Sequence, residues 1–163
     1  MLDSNLFYRN VFTLIGNLLL VSDGDSLIEI RFDNEGNITN SDIPILVETE
    51  KQLKQYFAGE RRTFDIPLKP IGTNFQLSVW NELKKIPYGE TISYQQLAER
   101  VGDKKKSRAV GNANGKNPIP IIIPCHRVIR KSGDLGGFGG GIKIKRKLLE
   151  LEQKLSSRIV TDK

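Results

Sequence analysis

The sequence predicts a fold in two parts. Residues 1–72 form a small α/β unit, an antiparallel sheet with one helix, and residues 73–163 form a mostly α-helical unit containing a helix-turn-helix. Three observations predict this. Short apolar runs, one of them strictly alternating, mark strands early in the chain. Two capping boxes, Thr73-x-x-Gln76 and Ser93-x-x-Gln96, then open short helical patterns. The charge also reverses near the same point. Residues 1–75 hold 7 Lys/Arg against 11 Asp/Glu, a net of −4, and residues 76–163 hold 18 against 8, a net of +10.

Taken in order, residues 11–32 read as strands. Leu18–Val21 and Leu27–Phe32 flank an Asp23-Gly24 turn signal, and strict alternation puts Ile28, Ile30 and Phe32 on one face. A polar loop is expected over 33–43. Leu46, Leu53 and Phe57 form one stripe of a helix from Leu46 to Ala58, stopped by Gly59. Phe64, Ile66 and Leu68 alternate as a further strand, and residues 69–72 read as a linker. In the second part, Thr73 caps a helix with Phe75, Val79 and Leu83 on one face, closed by Pro87-Tyr88-Gly89. Ser93 caps a short helix ending at Gly102. After a charged turn, Asp103 to Lys106, Ser107 is expected to cap a third helix reaching Asn114. Two short helices across a tight turn have the outline of a helix-turn-helix. A last helix from about Lys143 carries Ile144, Leu148, Leu151 and Leu155 on one stripe.

Composition excludes several classes. No apolar run approaches the roughly 20 residues that span a bilayer, and the N-terminus lacks the features of a secretory leader. One Cys and one His cannot form a disulfide or a Cys/His zinc site, so no metal or other cofactor is expected. The excess of positive charge in the second part suits a polyanionic partner. A monomer in the cytoplasm is the expectation.

The segment Asn117-Pro118-Ile119-Pro120-Ile121-Ile122-Ile123-Pro124-Cys125-His126-Arg127-Val128 concentrates the chemistry. Its prolines favour a stiff, extended chain, and its isoleucines require burial. The run is therefore expected to be an apolar strand delivering the sole Cys and the sole His of the chain to one place. A thiol reacts as the thiolate, about 3% of an unperturbed Cys at pH 7, so His126 and Arg127 beside Cys125 are expected to favour ionisation.

Pro-Cys-His-Arg-Val after Asn-Pro and an isoleucine run resembles the active-site signature of the O6-alkylguanine-DNA alkyltransferases. The resemblance spans about Phe75 to Glu152 and includes Pro87–Ala98 and Arg108–Gly111 in the same order and spacing. It implies a ribonuclease H-like first domain and direct repair of DNA. Cys125 would take the alkyl group from O6-alkylguanine irreversibly and once per molecule, with O4-alkylthymine a further candidate substrate. His126 would act as base through a water, Glu152 would orient it, and Asn117 would brace the turn before the Cys. Tyr94 would help rotate the nucleotide out of the duplex and hydrogen-bond the base, and Arg108 would fill the gap in the stack. Small residues Ala109, Gly111 and Gly115 would let the second helix of the pair lie close in the minor groove of double-stranded DNA. Lys104, Lys105, Lys106 and Lys116 are candidates for phosphate attraction. Phe138, Gly139, Val128 and Pro120 would line the alkylguanine pocket, with the carbonyls of Cys125 and Val128 accepting from the guanine amino group. Phe138 and Gly139 replace the Tyr and Ser of some relatives. Two other classes compete. An alkyltransferase-like damage sensor would lack the Cys, and a Cys–His hydrolase would need an oxyanion site that the sequence does not reveal.

Overall fold

Three strands open the chain where the apolar pattern suggested two: β1 (Phe7–Thr13), β2 (Gly16–Ser22) and β3 (Leu27–Arg31). The computed structural model describes residues 3–32 and 38–161, and the stretch 33–37 of the expected polar loop lies outside the described residues. The chain divides into two compact units, Met1–Ile71 and Gly72–Lys163.

In the first unit the strands form one antiparallel sheet in the order β1-β2-β3. Tyr8 pairs with Val21 and Val11 with Leu18. These two residues of β1 therefore bury on opposite faces, which hides the strand from a search for alternation. Between β2 and β3 the register shifts at Val21/Ser22. Leu27 and Ile30 consequently pair opposite Ser22 and Leu20, while Ile28 packs on the other face with Tyr8, Leu19 and Val21. The expected shared face of Ile28 and Ile30 is overturned by this irregularity.

Helix α1 (Pro44–Phe57) begins with Pro at its first turn, where no donor is lost. It buries Leu46, Thr49, Leu53 and Tyr56; Tyr56, not Phe57, completes the stripe. Gln52 is buried with them. Its amide accepts from Asp65 N–H at 2.9 Å and donates to Asp65 C=O at 3.2 Å. That explains why 64–68 is not a strand: its backbone pairs with a side chain, and only Leu68 bridges Leu27.

The second unit is built on α2 (Asn74–Leu83), α3 (Tyr94–Val101), α4 (Ser107–Gly115) and α5 (Ile142–Thr161), with two short strands, β4 (Ile92–Ser93) and β5 (Val128–Ile129), paired in parallel. Both capping boxes form reciprocally, at Thr73/Gln76 and Ser93/Gln96. Helix α2 buries Val79, Trp80 and Leu83 while Phe75 stays half-buried, and Trp80 Nε1 donates to the Ala113 carbonyl of α4 at 2.8 Å. A Cβ on Gly72 would come within 2.5 Å of the Trp80 ring, so the linker must have glycine there. Gly102 ends α3 at φ 118°.

A single 3₁₀ turn, Lys104–Lys106, then leads directly into α4. Ser107 is not the cap expected of it: Lys106 holds the N-cap position and the Ser107 hydroxyl donates to Lys104 C=O. The turn itself is capped by Asp103, whose carboxylate accepts from Lys105 N–H at 2.9 Å. Among the described residues no helix is long and apolar enough to cross a membrane.

Candidate active site

The proline- and isoleucine-rich segment does not run extended to the cysteine. It folds back on itself, with Ile123 N–H donating to Ile119 C=O at 2.9 Å and Ile121 at φ 74°. A β-branched residue in that region costs about 1–2 kcal/mol, so something must hold it. Asn117 does: its Nδ2 donates to Ile123 C=O at 2.7 Å and its Oδ1 accepts from Ile119 N–H at 3.0 Å. Pro118, Pro120 and Pro124 offer no donors for a sheet ladder, so the isoleucines reach the core through this braced turn. Cys125–Arg127 form one 3₁₀ turn before β5, and every residue from Ile119 to Val128 is buried.

Helix α5 also presents a different face from the one expected. Lys145, Leu148, Leu149 and Glu152 are buried, at spacings of three, four and seven, whereas Ile144, Leu151 and Leu155 are half-buried. Two charges thus lie on the inward stripe. Glu152 Oε2 meets His126 Nε2 at 2.7 Å. Arg127 grips the same carboxylate, Nε to Oε1 at 2.8 Å and Nη2 to Oε2 at 3.0 Å, and Gly89 N–H reaches Oε1 at 3.2 Å. Gly89 sits at φ 81°, and a Cβ there would lie 2.1 Å from Ser156 Oγ. Burial alone would raise the Glu152 pKa; hydrogen bonds and charge from His126 and Arg127 outweigh it and hold the carboxyl well below the usual range.

Because an ionised carboxylate only accepts, the proton of neutral His126 sits on Nε2 and the lone pair on Nδ1. Nδ1 has no protein partner among the described residues. Burial pushes the His126 pKa down against the opposing pull of Glu152. The resting imidazole is a neutral base with its free nitrogen available.

Cys125 is 5% exposed. Burial pushes its thiol up to about 11, with partial opposition from the Asn117 side chain and the Lys145 charge. His126 and Arg127 were expected to favour ionisation; instead desolvation outweighs the neighbouring charge, which comes from Lys145. Lys145 was missed by sequence reasoning, although it lies seven residues before Glu152 on the same stripe. Its Nζ donates to Val128 C=O at 2.7 Å and Gly137 C=O at 3.2 Å, 5.8 Å from the Tyr94 ring centre. Burial takes its pKa down to about 8. Asn114 was missed as well; its Nδ2 donates to Cys125 C=O at 3.3 Å.

A groove of about 520 Å³ opens beside this centre. Tyr94, Arg108, Gly111, Gly115, Phe138 and Gly139 all line it, as does Arg130. Tyr94 is held between two glycines. A Cβ on Gly111 would lie 3.5 Å from its ring, and one on Gly136, at φ 73°, would lie 2.7 Å from its hydroxyl. Space at Gly139 is open, the nearest atom to an added Cβ being Gly115 O at 3.8 Å. Ala109 is exposed on α4, and Pro120 and Val128 are buried; none of these three lines the groove.

Two family models match the chain. The 6-O-methylguanine DNA methyltransferase ribonuclease-like domain covers residues 6–70, and the DNA binding domain of the same family covers residues 74–154. The chain is 44% identical over 155 residues to the methylated-DNA–protein-cysteine methyltransferase of Methanosarcina acetivorans, covering 90% of this chain and 98% of that one. It is also similar to the crystal structure of the Mycobacterium tuberculosis O6-methylguanine methyltransferase, at 45% identity and a TM-score of 0.82, covering 91% of this chain and 93% of the other. A structure of Mycobacterium tuberculosis OGT in complex with DNA matches equally well, at 46% identity and a TM-score of 0.82, covering 91% and 94%.

Proposed function

Since the chain belongs to the 6-O-methylguanine DNA methyltransferase family, we propose that Cys125 is the methyl acceptor and that His126 and Glu152 form the relay that activates it. The activity is repair of DNA by direct reversal, with methylated DNA as donor and a protein cysteine as acceptor. The observation that carries the assignment is a single Cys next in sequence to a buried His, whose Nε2 is fixed by a buried carboxylate at 2.7 Å.

In this reading an O6-alkylguanine turns out of double-stranded DNA into the groove between α4 and the Gly136–Gly139 loop, because O6 cannot be reached inside the stack. Arg108 takes the place of the departed base. Helix α4 lies in the minor groove, where Ala109, Gly111 and Gly115 permit close approach of backbone to backbone. His126 Nδ1 accepts the thiol proton through a bridging water, since neighbouring side chains on a 3₁₀ turn diverge. Sγ bonds to the alkyl carbon as the C–O6 bond breaks, its electron pair passing to the guanine oxygen. The Tyr94 hydroxyl donates a hydrogen bond to the departing base, which stabilises the developing charge. Glu152 stabilises the imidazolium. The thioether does not reverse, so one molecule repairs one lesion as a monomer.

The test is intact mass after incubation with a duplex carrying O6-methylguanine. One methylene unit should be gained per molecule, and none in Cys125→Ser. Loss of the lesion at many equivalents per protein molecule overturns stoichiometric transfer. The damage-sensor reading requires a chain without an acceptor thiol, and the presence of Cys125 disfavours it.

A further inference from the structure

The relay proposed above names three residues, yet a fourth holds both oxygens of Glu152. We propose that Arg127 is a positioning residue of the transfer reaction: by holding both oxygens of Glu152 it fixes the carboxylate plane against His126 and limits how much positive charge His126 can carry. The inference rests on the relay reading.

The geometry carries it. Arg127 is 6% exposed, and its guanidinium makes a two-point contact with Glu152 at 2.8 and 3.0 Å. Its remaining arm, Nη1, donates to Ile86 C=O at 2.6 Å, and its Cζ stands 5.7 Å from the Tyr88 ring centre. The side chain thus ties the Cys125–Arg127 turn to α5 and to the loop after α2. A planar fork of this kind matches a carboxylate bidentately, which lysine cannot do. Each Glu152 oxygen receives at least two donors, Oε1 from Arg127 and Gly89 and Oε2 from His126 and Arg127. A carboxylate so saturated cannot turn away from the imidazole.

There is also an electrostatic consequence. In a Ser-His-Asp arrangement the carboxylate charge is available to the imidazolium. Here Arg127 shares that charge and offsets part of what Glu152 offers the imidazolium. The charged and titratable groups around His126 are Glu152 and Lys145 from α5, Arg127 from its own turn and the Cys125 thiol. Cys125 and Arg130 act in turn on Tyr94 and Lys145. Both cations oppose protonation of His126. Arg127 thereby keeps the thiol–imidazole pair neutral at rest, so that proton transfer is coupled to the arrival of the substrate.

One Cys and one His make the test simple. Selective ¹⁵N-histidine labelling reports His126 alone, and single-turnover methyl transfer reports Cys125 alone. Both are followed from about pH 5 to about pH 9, across the ordinary His range, in the full-length protein, Arg127→Gln, Arg127→Lys, Glu152→Gln and the Arg127→Lys/Glu152→Gln double variant. The unsubstituted protein should show the Nε2–H tautomer. Arg127→Gln should slow transfer about 10- to 100-fold, the usual cost of losing a supporting partner, and move the His126 titration to higher pH. Arg127→Lys should restore most of that titration, because the charge returns, while recovering only part of the rate. On the Glu152→Gln background, Arg127→Lys should change the rate by no more than about twofold, since coupled residues are non-additive.

If Arg127→Gln does not fold, the lysine variant and the double variant decide the question. An unchanged rate in Arg127→Lys overturns the proposal. So does a loss in the double variant as large as in the single, which marks a structural role independent of Glu152. A Glu152→Gln protein with full transfer activity instead overturns the relay itself.

Discussion

Residue by residue, the site rests on charges that the fold has removed from water. Glu152 illustrates the consequence for stability. Its folded-state pKa is depressed, so its contribution is present above about pH 4.3, where the unfolded carboxyl is ionised, and is lost as pH falls through the folded value. Glu152→Gln removes that dependence and leaves Arg127 buried without its counter-ion, a change of about 3–5 kcal/mol in comparable pairs. The melting temperature should therefore fall at pH 7, with the gap to the unsubstituted protein narrowing toward pH 3. Thermal scans across that range check it, and a gap independent of pH refutes the linkage. Methyl transfer at neutral pH should slow about 100-fold in the same variant, with DNA affinity nearly unchanged, as single-turnover rates and a titration on the same oligonucleotide would record. Cys125, His126 and Glu152 were legible as candidates from a local signature and its downstream partner. Lys145 and Asn114 were not, because a buried lysine and a buried asparagine look like surface residues until the helix face is known.

Among the elements, α3 and α4 set the groove. Helix α4 is rich in small residues, and Tyr94 at the start of α3 fits only because Gly111 and Gly136 leave it room. Gly136→Ala should displace the Tyr94 ring, since the added Cβ would fall 2.7 Å from its hydroxyl at a φ of 73° that side chains resist. The expected outcome is reduced transfer from both duplex DNA and free O6-benzylguanine, read by loss of thiol. Arg108 makes a contrasting case. It lines the groove on an exposed stretch of α4, so Arg108→Ala should weaken repair of duplex DNA by about 10-fold or more while reaction with the free base is nearly spared. Equal losses on both substrates would mean that Arg108 takes no part in nucleotide rotation. The capping boxes of α2 and α3 were readable because they are local, three-residue hydrogen-bond patterns. The turn at 119–123 was not, because its stability comes from Asn117 reaching across to Ile123.

For the whole molecule, the division of charge bears on DNA. The net +10 lies in the stretch that includes the groove, and Lys104, Lys105 and Lys106 are exposed together on the turn before α4. Replacing all three with Ala should reduce the salt dependence of DNA binding, lowering the slope of log affinity against log salt by up to about three, without changing reaction with the free base. Fluorescence anisotropy over a salt series measures this, and an unchanged slope removes these lysines from the DNA interface. The sequence by itself determined the order of the helices in the helical unit, the two capping boxes, the sign of the charge and the candidates for the nucleophile and its partners, since each depends on near neighbours or on a linear motif. Only the tertiary structure decided which face of α5 turns inward, that residues 64–68 pair with a glutamine and not with a strand, and that burial pushes the thiol pKa up. Those outcomes depend on desolvation and on partners distant along the chain, and neither is written in any short window of residues.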